Sequence, residues 1–212
     1  MSADEPYLCL AEAVEHEIVI KKSRFICALF PVSNEADAQA ALTGVKKHHY
    51  NATHNCSAMI LGARRDIKKS ADDGEPQGTA GAPMSEVLAR NNITNILAVV
   101  TRYFGGTLLG AGGLVRAYGG SVAEAIAIAK TEWHIPAAVL KCETAYADYG
   151  KLENIAAEYG AQLTSEFGEK VTARMVVCKS RLGALEKRFT EAFAGAHIYE
   201  KDGEDIIIEP AK

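Results

Sequence analysis

Residues 102–120 read RYFGGTLLGAGGLVRAYGG and hold seven of the chain's 18 glycines, at positions 105, 106, 110, 112, 113, 119 and 120. The run follows NILAVVTRY, a nearly continuous β-branched and aliphatic stretch of the kind expected of a central strand covered on both faces. It precedes an alanine-rich segment, Leu114 to Lys130, that reads as a helix. Such a strand-to-helix corner uses glycine where the backbone must take positive φ. A helix that begins there turns free N–H groups and the positive end of its dipole toward any anion. Arg102 at the strand end and Arg116 one turn into the helix add two groups able to grip an oxyanion bidentately. The same glycines also serve tight packing of helix on sheet with Arg116 left on the surface, and both readings stand at this point.

The nucleotide fingerprints fail letter by letter. Gly105 and Gly110 have the spacing of a P-loop, but Ala111 stands where the lysine must reach the phosphates. Gly110 and Gly112 begin a G-x-G-x-x-G, but Val115 occupies the third glycine position, where close helix packing is needed. Gly106 and Gly113 belong to neither pattern.

A chain of 212 residues, 48% hydrophobic and 24% charged, is an ordinary globular composition with room for one large or two modest domains. No apolar run approaches the roughly 20 residues of a membrane helix, and the start, MSADEPYLCLAEAVEHE, is acidic where a secretory signal is basic and then apolar. A cytoplasmic protein with no membrane contact is expected. Five cysteines (Cys9, Cys27, Cys56, Cys142, Cys178) are odd in number and lack any C-x-x-C pair, so neither a disulfide framework nor a thiolate zinc site is indicated. The net charge is −4, yet residues 21–70 carry nine Lys/Arg against three acids. That basic segment reads either as a set of solvated faces or as a patch facing a polyanion.

VEHEIVIKKSRFICALFPV reads as two strands, with alternation near Glu17 to Ile20 and a β-rich run from Phe25 to Phe30. Ser33 and Asn34 offer a cap to a helix over EADAQAALTGVKKHHY, and NCSAMILG is a strand. ARRDIKKSADDGEPQGT reads as an exposed loop, and APMSEVLARN as a helix with Pro83 in its first turn. Pro136 marks a joint. Beyond it the order is strand (VLKCETAYAD), helix closed by Gly160, hairpin (AQLTSEFG and KVTARMVVC), helix closed by Gly195, and one or two strands in HIYEKDGEDIIIEP. This is the β-α-β-β-α-β order of a ferredoxin-like domain. The expected class is α+β, with one domain over residues 1–136 and a ferredoxin-like domain over residues 137–212.

Two further constellations invite chemistry. DDGEPQGTAG places Asp72, Asp73 and Glu75 within four residues. A calcium loop fails because Lys69 holds the first ligand position, and Asp-Gly and Glu-Pro are turn dipeptides, so a turn is favoured over carboxylate catalysis. HHYNATHNC sets His54 two residues before Cys56, on one strand face. A Cys/His nucleophile pair needs contact and an orienting group. A histidine bonded to the neighbouring loop is the simpler reading. No metal, cofactor or catalytic residue is assigned.

The segments ATHNCSA (52–58), DDGEPQGTAGAP (72–83), VVTRYFGG (99–106) and LLGAGGLVRAY (108–118), with KKSRFI (21–26) before them, closely resemble the signature of the YigZ/IMPACT family of small cytoplasmic proteins. The resemblance implies a first domain of the ribosomal protein S5 domain 2-like class, a sheet with helices on one side. That domain followed by a ferredoxin-like one is also the arrangement of the last two domains of elongation factor G. Eukaryotic relatives are associated with control of translation through protein contacts.

The resulting expectation is a non-enzymatic, translation-associated regulatory protein binding RNA, the ribosome or a translation-factor partner; nothing in the sequence fixes an oligomeric state. Its binding residues are His54, Asp72, Asp73, Glu75, Thr79, Gly81, Arg102, Tyr103, Gly105, Gly106, Gly110, Gly112, Gly113 and Arg116. Backbone amides and arginines suit phosphates, and Tyr103, Phe104 or Tyr118 can stack a base where exposed. The competing reading is an enzyme resembling the galactokinase and homoserine kinase group. Those kinases place a glycine-rich helix start on nucleotide phosphates, but this loop lacks their paired serines.

Overall fold

The computed structural model describes residues 4–196 and 198–211; residues 1–3, His197 and Lys212, which include the first residues of the acidic stretch and of the expected last strand segment, lie outside the described residues. The fold is mixed α+β, with two antiparallel sheets and five helices among the described residues. Two compact units are built on residues 7–133 and 134–209. No helix of the described residues is long and apolar enough to cross a membrane.

The first unit comprises β1 (Tyr7–Leu10), β2 (Val14–Ile20), β3 (Ser23–Pro31), α1 (Glu35–His48), β4 (His54–Leu61), β5 (Ile67–Ala71), α2 (Gly81–Arg90), β6 (Ile96–Tyr103) and α3 (Ala111–Ile128). Its sheet runs β2-β3-β6-β4-β5, every pairing antiparallel. β6 is central and is covered on both faces, as its unbroken apolar run requires. Ile96, Ala98 and Val100 join Phe25, Cys27, Cys56 and Ile60 beneath Met84 and Leu88 of α2 and Leu114, Tyr118 and Val122 of α3. Leu97 and Val99 face the other way, with Met59 and Leu61, onto Ala38 and Val45 of α1. Helices therefore lie on both sides of the sheet, not on one as the family likeness implies. β4 and β6 are apolar on both faces, and each face needs a cover.

Asn34 caps α1 as expected, its Oδ1 accepting the Asp37 N–H at 2.9 Å. Two boundaries differ from the sequence reading. The expected loop 63–79 contains β5, whose five residues are all exposed. An edge strand wet on both faces carries no alternation, and Lys68 and Lys69 give it the charge typical of such edges. α3 starts at Ala111, because Gly112 and Gly113 hide a helical turn from any propensity argument. Pro136 lies inside β7 (Thr131–Thr144), three residues after the division between the two units and one residue before the ladder with β9 begins at Ala137, where its missing N–H costs nothing to that ladder.

β7 carries the chain into the second unit, which continues with α4 (Tyr146–Tyr159), β8 (Gln162–Phe167), β9 (Val171–Cys178), α5 (Lys179–Ala192) and β10 (Tyr199–Pro210). Its strands lie in a five-stranded sheet of order β1-β7-β9-β8, with β10 also paired to β7. Leu152 and Ile155 of α4 and Leu185 and Phe189 of α5 pack on Leu140, Cys142, Met175 and Val177. Gly160 closes α4 with φ +62°, and Ala161 N–H reaches back to the Ala156 carbonyl at 2.8 Å. α5 ends at Ala192 with Phe193 as its C-cap, and Gly195, at φ +80°, turns its N–H back to the Thr190 carbonyl at 2.9 Å.

Candidate functional site

The site grows from the register of β4 on β6, which sets His54 opposite Arg102 at the ends of the two strands. Above them lies the loop from Asp72 to Ala80, and its own first residue holds it. Asp72 Oδ2 accepts Gly78 N–H at 2.8 Å, while Oδ1 accepts Ala80 N–H at 3.1 Å and Gly81 N–H at 2.8 Å. Burial alone would raise the Asp72 carboxyl, but these three backbone donors outweigh it and hold the group below its ordinary value. The carboxylate thus closes the loop and caps the start of α2 at once. Gly81 is sterically required: a Cβ there would sit 2.9 Å from the Ala71 backbone nitrogen. Thr79 Oγ1 donates to the Pro76 carbonyl at 2.6 Å.

Asp73, at φ +45°, ties the loop to its surroundings. Its Oδ1 accepts from Lys46 Nζ at 2.7 Å, its Oδ2 from Asn55 N–H at 2.7 Å, and its carbonyl lies 2.8 Å from His54 Nδ1. A carbonyl can only accept, so Nδ1 carries the proton and Nε2 faces Glu75, 3.9 Å from Oε1.

Glu75 is the centre of the arrangement. Its side chain is 3% exposed and its Oε1 accepts both Arg102 Nη1 at 2.6 Å and Tyr118 Oη at 2.7 Å. Arg102, 6% exposed, lies between two rings, with Cζ 5.4 Å from the Phe25 centroid and 5.6 Å from that of Phe104. Phe25 in turn meets the Tyr118 ring edge-on at 5.3 Å. One buried ion pair therefore joins the loop, β6 and α3.

The glycine corner follows Arg102 directly. A Cβ on Gly105 would come within 2.0 Å of the Lys22 carbonyl carbon, so only glycine lets the loop lie against the β2–β3 turn, where Gly105 N–H donates to Ser23 Oγ at 3.1 Å. Gly106 and Gly110 take φ +82° and +74°. Leu114 N–H makes the first helical bond, to the Gly110 carbonyl, and α3 has neither a side-chain cap nor an acid in its first turn. The N–H groups of Ala111, Gly112 and Gly113 thus lack a helical acceptor. Gly113 leaves room for Leu109, and Arg116 folds back so that its Nη1 lies 3.7 Å from where a Gly112 Cβ would be. Phe104, Leu108 and Val115 stand 48%, 82% and 40% exposed around this corner.

Of the residues singled out from the sequence, His54, Asp72, Asp73, Glu75, Thr79, Gly81 and Arg102 come together around the loop. Gly105, Gly106, Gly110, Gly112 and Gly113 form the corner that continues from Arg102. Arg116 is exposed and makes no ion pair among the described residues. Tyr103 is engaged, its hydroxyl 2.9 Å from His49 Nδ1 and 3.3 Å from Asn51 Oδ1.

One sequence reading is corrected, and the reading of His54 as bonded to the neighbouring loop is met by its contact with the Asp73 carbonyl. Tyr118 is fully buried, so it stacks on no base; its place in an alanine-rich helix hides a hydroxyl that serves Glu75. Cys56 is buried and held as a thiol: desolvation pushes it up to about 12, and Sγ donates to the Asp72 carbonyl at 2.9 Å. The basic segment is partly neutralised, since Arg24, Lys46, Arg64 and Lys69 pair with Glu17, Asp73, Asp66 and Glu35. No group of three or more His, Cys, Asp or Glu suited to a metal ion occurs among the described residues. Cavities of 580 and 320 Å³ open elsewhere, at one end of the second unit and under α1.

Residues 21–126 match the family model described as Impact N-terminal domain, and residues 142–196 that described as Domain of unknown function (DUF1949). The chain belongs to the IMPACT family. It is 44% identical over 206 residues to IMPACT family member YvyE of Bacillus subtilis, covering 97% of this chain and 94% of that one. It is 43% identical over 143 residues to IMPACT family member YigZ of Escherichia coli, covering 66% and 70% of the two chains. Among solved structures it is similar to one described as a hypothetical protein, at TM-score 0.64 and 30% identity over 94% of this chain and 97% of that one.

Proposed function

We propose that this chain is a non-enzymatic, translation-associated regulatory protein of the cytoplasm that acts by binding, and that the glycine corner of its first unit receives RNA, a ribosomal surface or a translation-factor partner. The observation that carries this reading is the contrast between the two halves of the site. The carboxylates and the thiol of the site are occupied: Asp72 by three backbone donors, Asp73 by Lys46 and Asn55, Glu75 by Arg102 and Tyr118, Cys56 by a carbonyl. The corner is the opposite, with Phe104, Leu108 and Val115 exposed beside a helix start without a side-chain cap and an exposed Arg116 that has no ion pair among the described residues. Apolar side chains beside unpaired cations are the composition of a recognition surface, not of a reaction centre.

The finer fold assignment rests on topology. The strand order β2-β3-β6-β4-β5 of the first unit supports the ribosomal protein S5 domain 2-like reading, and β8-β9-β7 with β10 also paired to β7 supports the ferredoxin-like one. Both classes occur in ribosome-associated proteins, and that likeness is an analogy.

Co-sedimentation of the intact chain with ribosomes over a salt series tests the reading. Binding that weakens steeply as salt rises and is abolished by RNase identifies an RNA contact; binding that survives RNase identifies a protein partner. No binding even at low salt, together with a clear thermal stabilisation by ATP and magnesium, would overturn it in favour of an enzyme of the kinase-like group.

A further inference from the structure

Arg102 is held by one corner only. Glu75 occupies Nη1, the guanidinium nitrogen cis to Cδ. The remaining Nε–H and Nη2–H point the same way and form the side-on fork that grips an oxyanion with two parallel bonds. Nε is buried without a partner, and Nη2 makes no hydrogen bond among the described residues. A buried Nε–H without a protein partner, on a side chain 6% exposed, departs from the rule that buried donors are satisfied and calls for an explanation.

We propose that the Nε/Nη2 edge of Arg102 is an oxyanion subsite and that its ligand is a phosphoryl group. The inference rests on the reading of this corner as a binding site and names the chemistry that site takes. Three features favour the phosphoryl group over a carboxylate. Arg102 is already neutralised by Glu75, so the surplus positive charge lies with its neighbours along the chain. Lys21 and Lys22, in the turn against which Gly105 packs, make no ion pair among the described residues, and neither does Arg116. The first turn of α3 holds no acid. These surroundings suit a ligand with more than one negative charge.

Glu75 is itself bonded by Tyr118, so the pair that holds Nη1 is part of the packed core, which lowers the ordering an oxyanion must impose. Phe25 and Phe104 bring their ring centroids to 5.4 and 5.6 Å from Arg102 Cζ, Phe25 wholly buried and Phe104 48% exposed. A nucleic-acid backbone and a free phosphomonoester supply the same oxygens.

The test is isothermal titration calorimetry of the intact chain at low salt with inorganic phosphate, acetate and a uridylate octamer, on the natural protein and on Arg102→Lys. Lysine keeps a positive charge for Glu75 but has no fork. Phosphate is expected to bind saturably and at least about tenfold more tightly than acetate, and R102K is expected to weaken it about tenfold or more, the size of a lost charge-assisted pair. The Arg102 Nε–H resonance of the natural protein should move on phosphate addition, a readout independent of how R102K folds. Competition by the octamer assigns the oxygens to a nucleic-acid backbone; phosphate binding that the octamer leaves untouched assigns them to a phosphorylated small molecule, and both support the subsite. Equal acetate affinity, no phosphate binding, or R102K binding phosphate as the natural protein does would overturn it. Phosphate binding without ribosome co-sedimentation leaves the subsite standing and removes only the ribosomal partner.

Discussion

Replacing Glu75 by alanine isolates the role of the buried ion pair. The side chain is 3% exposed and its Oε1 serves Arg102 at 2.6 Å and Tyr118 at 2.7 Å, while Arg102 is itself 6% exposed. Truncation leaves a largely buried guanidinium without its carboxylate and strands the Tyr118 hydroxyl in the core. Removing one member of a buried pair costs about 3–5 kcal/mol, and an orphaned buried hydroxyl about 1–3 kcal/mol, the two not being additive here. A loss near 4 kcal/mol would be a large share of the roughly 5–15 kcal/mol available to a domain. Glu75→Gln keeps an acceptor oxygen and removes only the charge, so it should cost less than Glu75→Ala. Equilibrium urea unfolding of the intact chain gives the magnitude, and native-state hydrogen exchange should place the loss in β4, β6 and α3. Tyr118→Phe should cost less in the Glu75→Ala background than alone, since both changes break one network. A Glu75→Ala protein within about 0.5 kcal/mol of the natural one would refute the reasoning, because only surface changes are that mild.

Gly105→Ala should destabilise the first unit by more than the roughly 1 kcal/mol of an ordinary glycine effect, since its Cβ meets the Lys22 backbone at 2.0 Å; a melting temperature equal to that of the natural protein would contradict the packing. The Asp72 carboxyl is lowered on folding from 3.8, so its contribution is present above that value and is lost as pH falls through the lower folded one. The stability gap between the natural protein and Asp72→Asn should therefore shrink in acid below about pH 4, as thermal melts across pH will show. Cys56, with its thiol near 12, should resist iodoacetamide in the native protein at pH 8 and react after urea unfolding, read by peptide mass spectrometry.

What the sequence made legible follows its physical signals. The unbroken apolar run of β6, the Asn34 cap and the Gly160 closure all carry local signatures, and each element stands where its signature puts it. β5 was illegible because a strand exposed on both faces has no period, and the first turn of α3 because its two glycines argue against a helix. Arg102, His54 and Glu75 could be named as candidates, yet nothing local joins Glu75 to Arg102, 27 residues on; that contact depends on Asp72 folding the loop back onto β4 and β6. Tyr118 was legible only as a ring, since its burial is decided by helix-on-sheet packing that no single segment encodes.

The most direct test of the glycine corner as a partner-binding surface is ribosome co-sedimentation of the natural chain beside Arg116→Ala and Leu108→Ser. Both residues are exposed, so neither change should disturb the fold. Arg116→Ala is expected to weaken binding and flatten its salt dependence, and Leu108→Ser to weaken it at every salt concentration. A natural chain that binds while both variants bind equally well would contradict the placement of the surface at this corner.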